Sequence, residues 1–147
     1  MKIDKVNLEI IKHLQDGRKS FNQIAEELSV TENTVRARVN RLLEEGVLEI
    51  TGLVDPEKLP GHSTVIVGIK LKSMDLVEKG EQFSKLKGVV SVCVVTGRYD
   101  LLLTVFLKDD FTLLEFYTQE VSRIPEVISA ETFVVYKGYN IRMPYII

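Results

Sequence analysis

One cysteine, two histidines, no excess of positive charge and no long apolar run set the first limits on this 147-residue chain. A lone cysteine cannot close an intramolecular disulfide. Cys93 lies in the apolar run VVSVCVV, where a small buried hydrophobe is expected, not a nucleophile or a ligand. His13 and His62 stand far apart, are expected at the surface and have no companion histidine. No nucleophile–base pair and no metal-ligand spacing is present, so no catalysis, cofactor or metal is expected. No apolar stretch approaches the ~20 residues that span a bilayer. The opening MKIDKVNLEI has neither the apolar region nor the cleavage site of a secretion signal. A cytoplasmic protein without a membrane partner is expected. Charge is evenly spread: residues 1–60 hold nine Lys/Arg against eleven Asp/Glu, and the remainder ten against ten. Indiscriminate coating of nucleic acid is therefore excluded, and any DNA contact has to come from local clustering of cations.

Such clustering is present in residues 20–48, SFNQIAEELSVTENTVRARVNRLLEEGVL. Ser20 and Gln23 have the spacing of a capping box, and Ile24, Ala25 and Leu28 form the apolar stripe of a short helix. The turn Ser29-Val30-Thr31 ends it, and Thr31 caps a second helix whose core arc is Val35, Val39, Leu42 and Leu43. The opposite arc holds Asn33, Thr34, Ala37, Asn40 and Arg41, with Arg36 and Arg38 on its flanks. These residue types suit a duplex. Arginine forks onto guanine or phosphate, asparagine pairs with adenine, and alanine leaves room for a base edge. Arg18 and Lys19 add charge nearby. Two short helices joined by a tight turn are the layout of a DNA-reading helix-turn-helix. With few phosphate contacts per subunit, useful affinity requires a dimer or a larger assembly.

Around this unit, Asp4 with Ile3, Ile10, Ile11 and Leu14 describes a further helix ending at Asp16-Gly17. Gly46 closes the DNA-reading helix, and residues 47–54 read as a strand or small hairpin. The segment DPEKLPGHS, with two prolines and a glycine, marks a boundary. Beyond it strands and helices alternate. Strands are expected over 64–72, 90–96, 101–107 and 127–136. One helix carries the stripe Leu76, Gly80, Phe83 and Leu86, and a second, capped by Asp110, carries Leu113, Tyr117, Val121 and Ile124. Strand-helix-strand twice over folds most simply as a ferredoxin-like sandwich, four antiparallel strands with two helices on one face. The bare apolar face calls for a cover, and a second copy of the same sheet is the economical one. The apolar end of the tail, 143–147, suggests packing on a neighbouring subunit. The expected class is α+β: a (winged) helix-turn-helix domain over 1–50, a linker or hairpin over 51–63, and a ferredoxin-like βαββαβ sensing domain over 64–147.

Taken in order, DKVNLEIIKHLQDGR, SFNQIAEELSVTENTVRARVNRLLEEGVL, DPEKLPG, VVTGRYDLLLTV and ISAETFVVYK resemble the Lrp/AsnC family of bacterial and archaeal transcription regulators, from Asp4 to about Lys137. The resemblance implies a sequence-specific, double-stranded-DNA-binding regulator. It also implies dimers that commonly build octamers, and a small effector, often an amino acid, held between dimers. Gly97 and Asp100 match the family's glycine-x-x-aspartate loop, with Arg98 and Tyr99 between them, and Thr132 matches a threonine of the last strand near that pocket. A glycine loop can offer backbone N–H groups to a carboxylate while an aspartate takes an ammonium. The same residues equally suit an ordinary hairpin turn. Asn7 stands where relatives often have aspartate, and Ser29 replaces a frequent glycine. Two rivals remain: an enzyme like the siroheme decarboxylases, which share this layout, and a ligand sensor that no longer binds DNA.

Overall fold

The structure, a computed structural model, describes residues 3–147, and its backbone divides into two compact units between Thr51 and Gly52. The first unit is three helices: α1 Lys5–His13, α2 Phe21–Leu28 and α3 Glu32–Glu44. Each begins where its sequence supplies a side-chain acceptor for an unpaired backbone N–H. Asp4 accepts from the Asn7 N–H, and Thr31 accepts from the Thr34 N–H. Ser20 and Gln23 close the full capping box. Ser29 ends α2 in the left-handed region at φ 54°, and Gly46 ends α3 at φ 66°. Ile10, Ile24, Ala25, Val35 and Val39 form the core, flanked by Val6, Leu14, Phe21, Leu28, Val30 and Leu48. Two expected core members are not buried. Ile3 precedes the α1 cap and is 36% exposed, and Leu43, one step off the line of Val35, Val39 and Leu42, is 38% exposed.

The strand or hairpin expected over 47–54 is mostly absent. Residues 47–52 are irregular, and only Leu53–Val54 (β1) pairs, with Met143–Pro144 (β6) at the far end of the chain. No wing therefore follows α3, because the linker's pairing partner is the tail of the second unit. Part of that tail packs on its own unit. Met143 is buried, and Tyr145 packs on His62 and Phe106 with ring centroids 5.6 and 6.0 Å apart.

The second unit is a four-stranded antiparallel sheet of β2 His62–Leu71, β3 Val89–Val94, β4 Leu101–Lys108 and β5 Val127–Val134, in the order β3-β4-β2-β5. Helix α4, Leu76–Ser84, links β2 to β3, and α5 links β4 to β5, which gives the ferredoxin-like βαββαβ order. The second helix is irregular. It starts as Leu113–Glu115, widens to a π turn over Phe116–Glu120 and tightens to a 3-10 turn over Val121–Arg123. Its cap is Thr112, boxed with Glu115. Asp110, the cap expected from sequence, instead lies 3.1 Å from the Lys108 ammonium. Alternation along the strands turns Val65, Val67, Ile69 and Leu71 and Leu101, Leu103, Val105 and Leu107 toward the helices, where they meet Phe83, Phe116, Val121 and Ile124. The other face is covered at one end only, where Tyr145 and His62 pack on the buried Phe106. Beyond that end Ile66 and Phe133 are 39% and 42% exposed, and Cys93 is exposed too. The burial expected of Cys93 is thus corrected: it pairs with Leu102 on the outward side of edge strand β3, while its neighbours Val92 and Val94 lie against Gly80 of α4.

Candidate functional site

Two places gather the chemistry expected from sequence: the open side of α3 and the 97–100 loop. On α3, Asn33, Arg36, Ala37, Asn40 and Arg41 are exposed, and Thr34 is half-buried through its link to the Thr31 hydroxyl, 2.8 Å away. Arg36 pairs with Glu32 one turn back and lies 5.3 Å from the centre of the Phe21 ring, while Arg41 Nε sits 3.8 Å from Glu45. Such solvent-facing pairs contribute ~0–1 kcal/mol, so a phosphate can take either arginine from its carboxylate at little cost. Arg38 is a correction. Its Nη1 donates to both Asp4 oxygens, at 2.9 and 2.8 Å, and to Asn7 Oδ1 at 2.8 Å. It faces α1 and not the open side. The Asn7 backbone N–H first, and Arg38 after it, hold the Asp4 carboxyl below its usual range. His13, expected at the surface, is half-buried with Nδ1 2.9 Å from Lys19 Nζ, and His62 is half-buried likewise.

The 97–100 loop joins β3 to β4. Gly97 has φ 127°, and Tyr99 folds back over the outward face of the sheet at Gly68. A Cβ on Gly68 would lie 2.7 Å from the Tyr99 ring, so glycine is what lets the ring lie down there. The Tyr99 hydroxyl donates to Glu131, which raises the phenol pKa. The ring meets Phe133 edge-on at 6.0 Å. The Arg98 guanidinium lies 5.5 Å from the Tyr99 ring centre and pairs with Glu131 at 3.1 Å.

Two expected effector residues do not join this group. Asp100 Oδ2 accepts from the Leu71 N–H and Oδ1 from Lys70 Nζ, both at 2.8 Å, and its pKa is lowered by those contacts in that order. Its carboxylate already holds an ammonium. Thr132 is adjacent to Glu131 on β5 and so projects from the opposite face, where its hydroxyl lies 2.7 Å from that of Tyr117. Gly97, Arg98 and Tyr99 make up the loop itself. Gly68 and Glu131 were not anticipated, although a glycine inside the strand-like run TVIVGIKLK is the usual sign of a close approach.

Comparison with known proteins decides the family. Residues 3–43 match the AsnC-type helix-turn-helix domain and residues 64–145 the Lrp/AsnC ligand-binding domain. The chain belongs to the Lrp/AsnC family of transcriptional regulators. It is 30% identical over 142 residues to the HTH-type transcriptional regulator Ptr1 of Methanocaldococcus jannaschii, covering 94% of this chain and 95% of that one. Among solved structures it shares its fold with AsnC of E. coli, at a TM-score of 0.73 and 23% identity over 97% of each chain. It also shares its fold with a transcriptional regulator of Neisseria meningitidis in complex with L-Met, at a TM-score of 0.70 and 22% identity over 92% of this chain and 91% of that one. This Lrp/AsnC chain is accordingly a transcriptional regulator with a helix-turn-helix domain and a ligand-binding domain, and its family is one of regulators, not enzymes. No helix among the described residues is long and apolar enough to cross a membrane.

Proposed function

We propose that this regulator reads double-stranded operators through the open side of α3, as a dimer or larger assembly, under control of an amino acid taken up at the 97–100 loop. The observation that carries the reading is the composition of that open side. Asn33, Ala37, Asn40 and Arg41 are exposed on one helix whose other side is locked into the three-helix core. A helix so held can enter a major groove without giving up packing. Arg36 and Arg41, released from their same-helix carboxylates, meet base edges or phosphates, while Arg38 holds the angle of α3 against α1. A second copy covers the outward sheet face around Ile66 and Thr104, which brings two α3 helices to one duplex. The L-Met complex of the fold neighbour supports an amino acid as the class of effector.

The test is a gel shift on the upstream promoter fragment. Asn40→Ala and Arg41→Ala should each weaken binding by roughly ten- to a hundredfold, the equivalent of ~1–3 kcal/mol per bidentate contact, with the size of the assembly unchanged. Unchanged shifts in both variants would reject the assignment of α3 to the groove.

A further inference from the structure

Where β2 begins, far along the strand from the 97–100 loop, one buried polar group is left without a partner. Thr64 stands opposite Phe106 of β4 and shares the outward face with Ile66, two places on. It is 6% exposed, and its hydroxyl is the one buried side-chain polar atom among the described residues with no hydrogen-bond partner. A buried orphan of this kind is unfavourable unless something reaches it. Thr64 forms part of the wall of a cavity of about 320 Å3, at the small end of the range for ligand sites. Pro56 of the 3-10 turn Pro56–Lys58, Val135 just beyond β5 and Ile141 of the tail supply apolar wall. All of it belongs to the second unit. The tail is tied down beside the cavity, because Glu57 accepts from the Lys137 ammonium and the Gly138 N–H, and Arg142 pairs with Asp55 at 3.1 Å.

We infer that this cavity binds a neutral molecule about the size of one aromatic ring, carrying a single hydroxyl that pairs with Thr64. Charge decides the class. The one carboxylate on the wall, Glu57, is spent on Lys137 and Gly138, and no lysine or arginine lines the cavity among the described residues. The His62 ring is engaged at both nitrogens, with Nδ1 2.8 Å from the Pro60 carbonyl oxygen and Nε2 3.3 Å from the Tyr145 hydroxyl. Ser63 adds a hydroxyl at an exposed position. An ion entering here would give up its hydration with no opposite charge to meet it, which excludes amino acids, phosphates and polyamines. An apolar body gains by leaving water for Pro56, Val135 and Ile141, and a hydroxyl can both donate to and accept from Thr64. The site is separate from the effector loop in place and in chemistry, and does not rest on it. Pro56 follows β1 and Ile141 precedes β6, so an occupant bridges the two segments that flank the β1–β6 pair.

Nuclear magnetic resonance on the isotope-labelled full chain tests this, with phenol, toluene, benzoate and benzylamine as probes. Phenol should shift the amide signals of Thr64, Val135 and Ile141 saturably. Toluene should bind at the same place about fivefold more weakly, as expected for loss of one neutral hydrogen bond. Benzoate and benzylamine should not compete with phenol. Thr64→Val, which keeps the shape of the side chain, should bring phenol down to the affinity of toluene and leave toluene unchanged. Ile141→Trp, which fills the cavity from the tail, should abolish both. Without any probe, Thr64→Val should melt at the same temperature as the unaltered protein or higher, since an unpaired hydroxyl is removed. Equal affinity for phenol and toluene, undiminished phenol binding in Thr64→Val, or competition by either charged probe would overturn the class of ligand. If phenol causes no saturable shift at these amides, water alone satisfies Thr64 and the site falls; a lower melting temperature for Thr64→Val would show a hydroxyl already partnered and overturn it as well.

Discussion

At the scale of single residues, Ser29 shows how a small conflict is tolerated. It is the only non-glycine residue of the first unit's described part with positive φ, and it occupies the position that ends α2. A side chain in that region costs about 1 kcal/mol, because Cβ crowds the following carbonyl. The turn still forms because the Ser29 N–H donates to Glu26 and the Val30 N–H to Ala25, and because Val30 packs on the core. Ser29→Gly should therefore stabilise the protein by up to about 1 kcal/mol, less the extra chain entropy of glycine. The check is an upward move of the urea midpoint at unchanged slope; a downward move would show that the serine is favoured at this turn.

At the scale of elements, the orientation of α3 depends on a clamp to α1 made by Asp4, Asn7 and Arg38. Asp4 caps its own helix and receives Arg38 from another, with Asn7 buried beneath. The Asp4 carboxyl is held below its usual value when folded. Its contribution is thus complete above the ordinary carboxylate range, ~pH 4, and is lost as pH falls through the lowered folded value. Arg38→Ala should lower Tm at neutral pH, and the gap to the unaltered protein should narrow as pH falls toward ~2–3. Thermal melts across that interval test this, and a gap independent of pH would mean that Arg38 acts through packing alone. The clamp also marks where sequence reading stops. Caps and apolar stripes are local, so α1, α2, α3 and α4 and the four strands were legible within a residue or two. The direction of Arg38 was not, because its partner lies 34 positions away. The same holds for Asp100, whose partners are on β2, and for β1, which pairs with the last residues of the chain. The face that Thr132 shares was not legible either, because a family motif carries no strand parity, and parity alone decides which face a side chain shares.

At the scale of the whole molecule, the unanswered demand is the outward face of the sheet. It carries Ile66 and Phe133, half-exposed, with Cys93 at its β3 edge, and an open sheet of this kind is normally covered. A second copy matches it by symmetry, since an isologous contact presents one patch to itself. On the proposed reading assembly and DNA binding are linked, because one α3 makes few phosphate contacts and two on one duplex act at a high effective concentration. The single thiol offers a clean readout of this arrangement, as no other cysteine competes for reagent. In the assembled protein Cys93 should react with an aromatic disulfide reagent at least ~10-fold more slowly than in Ile66→Asp, a variant expected to be monomeric because it buries an unpaired charge in the contact. The same variant should bind the promoter fragment far more weakly although its α3 is untouched. An assembled protein whose Cys93 reacts as fast as that of the monomer would move the interface off this face, and a monomeric variant that still shifts DNA at the original concentration would break the link between assembly and operator binding.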